Sequence, residues 1–235
     1  MGRIASSNDG RQITVKFRRD ITEHSIPTPT HGRYLISPGA ASDAQLLLGF
    51  HGYGETAEDE LRRLQTIPGI DRWAVVSIQG LHQFYRRSTN EVVASWMTRQ
   101  NRELVIADNI TYVQNIVNSL CHYSAVPLIL TGFSQGVAMA FRAATGLNQT
   151  ITAVIACGGD IPPELEPNAL ARIPTVLIGR GVRDEWYTSE KQAADEERLR
   201  AAGATVQSVV MNAGHEWTAE FSEISSQFLG STLNG

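Results

Sequence analysis

The sequence repeatedly sets a short, almost uninterrupted apolar run beside a stretch of helical periodicity. Gln45 to Phe50, Trp73 to Ile78, Pro127 to Thr131, Ile151 to Ala156, Pro174 to Ile178 and Thr205 to Met211 read as strands. The continuous run Gln45 to Phe50 suits a strand covered on both faces. Between them, Glu58–Gln65, Glu103–Leu120, Ser134–Thr145, Ser189–Ala202 and Glu216–Leu229 read as helices. In the longest, Val105, Ile106, Ile110, Val113, Ile116, Val117 and Leu120 keep helical spacing. Repeated strand–helix–strand units predict an α/β fold, a mostly parallel central sheet with helices on both faces. Two earlier strands, Ile13–Arg18 and Arg33–Ser37, have no helix between them and predict an antiparallel edge. Residues 81–100 read as a long connection with aromatic residues and Arg, and 158–172 as a Pro-rich excursion.

Composition bounds the reading. The chain has 235 residues, a net charge of −4, 42% hydrophobic and 19% charged residues. No shift of composition divides it, so one domain over 1–235 is expected, with 1–12 a flexible leading segment. Mild acidity argues against a nucleic-acid partner. No apolar run approaches 18 residues, and the polar start carries no secretory signal, which predicts a cytoplasmic protein without a membrane span. Two cysteines, Cys121 and Cys157, exclude a disulfide framework and a four-ligand zinc site. The six histidines form no metal-binding spacing, so no metal is expected. Met1-Gly2 with Ser6 formally fits an N-myristoylation pattern, one that short sequences meet by chance.

Chemistry should lie where strand C-termini meet helix N-termini. Leu130-Thr131-Gly132-Phe133-Ser134-Gln135-Gly136 runs an apolar strand through G-x-S-x-G into an Ala-rich helix. A nucleophile elbow needs that context: glycines clear the space around a serine held in a strained turn at a helix N-terminus. The bland alternative is a serine that caps a helix. His51-Gly52-Tyr53-Gly54-Glu55 follows the Gln45–Phe50 strand. A loop at this place donates one N–H to an oxyanion, and the residue after the nucleophile donates the other, so the candidates are the amides of Tyr53 and Gln135. Ala213-Gly214-His215-Glu216 follows the last strand and offers a general base of suitable chemistry in His215. Asp184, after the penultimate strand, completes the order Ser…Asp…His. Asp160, after the strand before it, is its rival.

With these pieces in place, the chain resembles the α/β-hydrolase superfamily, and within it the phospholipase/carboxylesterase family that includes acyl-protein thioesterases. The matching segments are H-G-Y-G-E (51–55), S-W-M (95–97), G-F-S-Q-G (132–136), C-G-G-D-I-P (157–162), G-V-R-D (181–184) and G-H-E-W (214–217). Val137 and the pair Trp186-Tyr187 depart from the family pattern. The resemblance implies that Ser134, Asp184 and His215 are catalytic and that G-V-R-D is the acid loop. It aligns Asp160 with a substrate-facing loop instead.

Specificity should reside in the loops. Trp96, Met97, Trp186 and Trp217 are candidates for a substrate pocket, with Phe84, Tyr85 and Tyr187 nearby in sequence. Arg86-Arg87 reads as a solvated pair or an anion contact. The expectation is a serine hydrolase that cleaves small-molecule carboxylic esters through an acyl-serine intermediate, without metal or organic cofactor. Acyl thioesterase and lysophospholipase activity are the nearest alternatives. A non-catalytic ligand-binding protein on a hydrolase fold is the alternative of another class.

Overall fold

The computed structural model describes residues 21–40, 44–120 and 128–232. The expected strand over 13–18, the Met1-Gly2 pattern and Cys121 lie outside them. The chain divides into two compact units, residues 1–31 and 32–235. In the first, residues 21–31 are exposed and carry no regular secondary structure.

The second unit runs β1 (Tyr34–Ser37), β2 (Leu46–Phe50), α1 (Ala57–Leu64), β3 (Ala74–Ile78), β4 (His82–Tyr85), β5 (Val92–Ser95), α2 (Arg102–Ser119), β6 (Leu128–Phe133), α3 (Gln135–Gly146), β7 (Ile151–Cys157), α4 (Pro167–Leu170), β8 (Thr175–Gly181), α5 (Ser189–Ala201), β9 (Thr205–Met211) and α6 (Ala219–Thr232). Among the described residues, seven strands form one sheet in the order β1-β3-β2-β6-β7-β8-β9. β1 pairs antiparallel with β3 at one edge, and the other pairings are parallel.

Alternation along the strands explains the layering. Leu46, Leu48 and Phe50 of β2 join Val76 of β3 and Leu130 of β6 in one apolar cluster, with Val113 and Ile116 of α2 and Met139 and Phe141 of α3. Leu47, Val75 and Ile129 point the other way, into a second cluster with Leu64 of α1 and Phe221 and Phe228 of α6. Successive side chains of a strand face opposite sides, so a sheet covered on both faces is apolar at most positions, with Ser77 and Thr131 the buried polar side chains of β3 and β6. Each fully buried Leu, Ile or Val contributes on the order of 1.5–3 kcal/mol. The continuous runs therefore stabilise the fold from both sides.

Three features depart from the expectation. Residues 82–95 form an antiparallel hairpin, with His82 opposite Ser95 and Tyr85 opposite Val92. It is fastened to the 51–55 loop, where Gly54 N–H donates to Ala94 O and Ala94 N–H to Glu55 O, both at 2.9 Å. The strand expected over 174–178 continues to Gly181, because its ladder with β9 runs on to Met211. The last helix begins at Ala219 rather than Glu216, since Thr218 caps it: its Oγ1 accepts the Phe221 N–H at 3.1 Å. Among the described residues no helix is long and apolar enough to cross a membrane.

Candidate active site

The sheet brings several loops to one edge, because the parallel strands β2, β6, β7, β8 and β9 all end there. Gly132 stands beside Phe50 on one side and Ala156 on the other. Cys157 stands beside Gly179. The loops after these strands carry 51–55, Ser134, 158–160, 182–184 and 212–215.

Ser134 occupies the turn between β6 and α3 with φ 54° and ψ −120°. That region is sparsely populated for a residue with a side chain, and holding it costs on the order of 1–3 kcal/mol. Neighbours impose it. The Ser134 N–H donates to Cys157 O at 2.9 Å, and Val137 N–H donates to Ser134 O at 3.0 Å. A Cβ on Gly132 would lie 2.4 Å from the Gly136 carbonyl carbon, so only glycine lets strand and helix close this tightly. The Ser134 hydroxyl does not cap α3. It meets His215 Nε2 at 2.8 Å instead.

His215 is oriented from its other nitrogen, which lies 2.8 Å from Asp184 Oδ2. Asp184 is buried at 6% exposure. Its second oxygen, Oδ1, accepts the Trp186 and Tyr187 N–H groups, each at 2.9 Å. The carboxylate thus has partners on both oxygens and a fixed direction. Arg183 N–H donates to Ala213 O at 2.9 Å, which ties the acid loop to the base loop. Asp160 does not reach His215. It is half-exposed and pairs with Lys191 Nζ at 2.9 Å.

The 51–55 loop is held by its own side chains. The buried His51 ring accepts the Gly80 N–H on Nε2 at 2.9 Å, so its Nδ1 carries the proton and donates to Gly52 O at 2.6 Å. Burial lowers the His51 pKa and favours this neutral form. Gly52 N–H donates to Glu55 Oε2 at 2.7 Å, and Glu55 N–H donates to Gly52 O at 3.3 Å. Arg86 donates to Gly54 O and so braces this loop, while its side chain stays 42% exposed. The Gln135 N–H is a first-turn donor of α3, one of those a helix leaves without a partner of its own.

The four pocket candidates fall in different places. Trp186 is 74% exposed and lines a cleft of about 250 Å³ with Ser134, Ala138, Asp160, Lys191 and His215. Trp217 lines a second cleft of about 570 Å³ that reaches His215 between α1 and α6. Met97 is half-buried and lines neither of these two clefts. Trp96 is also absent from both linings: at 1% exposure it packs edge-on against Phe50, with ring centroids 5.4 Å apart. A large side chain in a strand-end segment gains more from the core than from an open cleft.

The S-W-M segment is instead a strap that sequence reasoning missed. Trp96 N–H donates to Gln135 Oε1 and its indole N–H to His51 O, both at 2.9 Å. Asn109 Nδ2 of α2 donates to Trp96 O at 2.9 Å. The Gln after the serine is thus needed for its side chain, which ties the elbow to the hairpin. Sequence reasoning also missed the hold of His51 on the 51–55 loop and the pairing of Arg63 of α1 with Glu55, at 2.6 Å, and with Glu60. The available signal was Glu60, an acid on the buried stripe Ala57-Glu60-Leu64 of α1.

The comparisons with known proteins agree with this architecture. Among curated proteins none matches the chain by sequence. Among solved structures it is similar to acyl-protein thioesterase 2 of Zea mays, at 18% identity and a TM-score of 0.70 over 86% of this chain and 100% of that one. It is also similar to a carboxylesterase of Bacillus cereus, at 16% identity and a TM-score of 0.66 over 86% and 94% of the two chains. At such identities the likeness shows a shared α/β-hydrolase fold. The sequence itself matches the phospholipase/carboxylesterase family over residues 31–233, most of its length. With that match added to the fold, the chain belongs to the phospholipase/carboxylesterase family, a family of hydrolases.

Proposed function

We propose that this protein is a serine carboxylesterase that hydrolyses small esters through an acyl-Ser134 intermediate. One observation carries the reading: a continuous hydrogen-bonded line from Ser134 Oγ through both nitrogens of His215 to Asp184 Oδ2, each link 2.8 Å. Ser134 Oγ attacks the ester carbonyl carbon while His215 Nε2 takes its proton. Asp184 holds the imidazole in the tautomer that leaves Nε2 free to accept, and stabilises the imidazolium. The carbonyl oxygen becomes an oxyanion between the Tyr53 and Gln135 N–H groups. Collapse expels the alcohol, which takes the proton from His215. Water, deprotonated by His215, then attacks the acyl-serine, and the acid leaves as Ser134 Oγ takes that proton back from His215.

The site as a whole supports this over a ligand-binding role. A binding protein has no use for a strained serine whose hydroxyl is directed at an oriented histidine. Acyl thioester cleavage is the second reading. The same attack serves it, and the structural likeness to a plant acyl-protein thioesterase favours it.

The test is covalent labelling by a fluorophosphonate together with turnover of p-nitrophenyl acetate and an acetyl thioester. Labelling of Ser134 with ester turnover that Ser134→Ala abolishes is expected. A folded protein with neither labelling nor turnover would return the site to a binding role.

A further inference from the structure

Beneath the 51–55 loop lies a charged cluster that the proposed reaction has not used. Its centre is Arg63 of α1. One arm of the guanidinium, Nη2, donates to Glu55 Oε1 at 2.6 Å. The other arm, Nη1, donates to Glu60 Oε2. The flat face lies over the Phe133 ring, with Cζ 4.4 Å from its centroid. Each partner leads on to the site. Glu55 takes the Gly52 N–H on its second oxygen at 2.7 Å. Phe133 immediately precedes Ser134, and its ring centroid is 5.2 Å from that of His215. Glu60 is fully buried, and its other oxygen, Oε1, has no hydrogen-bond partner. It lies under Gly49 of β2, where a Cβ would stand 3.0 Å from Glu60 Cγ. One cation thus touches the brace of the oxyanion loop, the residue before the nucleophile and a buried acid below the strand that feeds the loop.

We infer that Arg63 is a positioning residue for ester hydrolysis: through Glu55 it fixes the Gly52-Tyr53 segment, and through its face on Phe133 it supports His215. The inference rests on the serine-hydrolase reading above. Arginine suits the task because its planar fork serves two carboxylates while its face covers a ring. Lysine offers a point charge that can hold one acid well. The fixed amide matters most in the transition state, where the carbonyl oxygen gains charge. A loop displaced by a fraction of an ångström therefore lowers kcat and leaves KM nearly unchanged.

The experiment compares wild type, Arg63→Lys, Glu55→Ala, the double variant and Arg33→Met on p-nitrophenyl acetate, with thermal melts of each. Arg33 makes another ion pair of α1, with the half-exposed Glu58, and bonds to neither Glu55 nor Glu60, so it controls for loss of helix anchoring. Arg63→Lys and Glu55→Ala should each lower kcat by about 10–100-fold with KM within about twofold. The double variant should lose no more than the worse single one, because both act through one brace. Arg33→Met should keep kcat whatever its melting temperature. Should Arg63→Lys fail to fold, Glu55→Ala alone decides by the same kcat criterion. Folded variants that keep kcat within about threefold, that lose activity through KM, or whose losses multiply in the double variant would each overturn the inference. Failure of the underlying reading looks different: wild type itself would neither turn over nor label.

Discussion

Gly136 passes so close to β2 that a Cβ there would lie 1.8 Å from the carbonyl oxygen of Phe50. Strand and elbow are thus in backbone contact, and nothing in that contact is a side chain that could swing aside. Gly136→Ala must push apart β2 and α3, which carry the 51–55 loop and Ser134. Overpacking of an unyielding site costs on the order of 3 kcal/mol, the upper end of the usual range. The expected result, read by urea unfolding, is a large loss of stability or no folded protein. A variant with wild-type stability would mean that the two segments do not meet as described.

The carboxylate that touches His215 is Asp184, and Asp160 is engaged with Lys191. Asp184→Asn keeps the shape but favours the wrong imidazole tautomer, so kcat should fall by about 10⁴-fold, as in the serine-protease template. Ser134→Ala should cost about 10⁶-fold. Asp160→Asn, which removes only a half-exposed ion pair, should change kcat by less than about tenfold. Steady-state assays of the three variants side by side check this, and a collapse in Asp160→Asn with an active Asp184→Asn would move the acid.

Acyl length should matter in a particular way. The cleft at Ser134 is about 250 Å³, and its lining includes Gly158, Gly159 and the Asp160–Lys191 pair. A methylene gains about 0.8 kcal/mol only where it leaves water for an apolar wall. An ion pair and bare glycine backbone do not provide one, and the apolar wall of this cleft is limited to Trp186 and Ala138. Across a series of p-nitrophenyl esters, kcat/KM should peak at short acyl groups of about two to four carbons and not rise further. A steady gain of about fourfold per methylene toward long chains would show an apolar channel and refute this reading.

Stability should depend on pH through Glu60. Complete burial pushes its carboxyl up to about 7, desolvation outweighing the attraction of Arg63. The unfolded chain returns it to about 4.5. Below that value both states hold the proton, and the folded state's stronger grip on it is fully present. As pH rises from about 4.5 to about 7 the unfolded state releases the proton first, so the contribution is progressively lost, on the order of 3 kcal/mol. Arg33 holds Glu58 down to about 2, but that exposed pair acts only in acid and is screened by water. Urea midpoints between pH 5 and 8 should therefore decline in wild type and decline much less in Glu60→Gln. Parallel profiles would exclude Glu60 as the cause.

The strands and helices were legible wherever burial on both faces left no choice of residue. Leu46–Phe50 and Ala74–Ile78 are buried at every position, with Ser77 the one polar side chain in either, and such runs have few other places to go. The hairpin over 82–95 was not legible. Its four-residue strands are only partly buried and depend on the bridge between Glu55 and Ala94, a contact distant in sequence. Trp96 shows the same limit. An aromatic residue in a loop-like segment suggested a substrate contact, whereas its indole N–H serves the His51 carbonyl inside the core.

The sequence by itself determined the order of the parallel strands and the long helices, and the loops in which reactive groups sit, because both follow from local periodicity and from which residues tolerate a tight turn. G-F-S-Q-G after an apolar run could hardly be placed elsewhere than at a strand–helix turn. Only the tertiary structure decided that Asp184 rather than Asp160 meets His215, that Gln135 anchors the hairpin, and that Arg63 links Glu55, Glu60 and Phe133. Those are choices among chemically equivalent side chains. They are made by the relative position of strand ends brought side by side from distant parts of the chain, which no local pattern encodes.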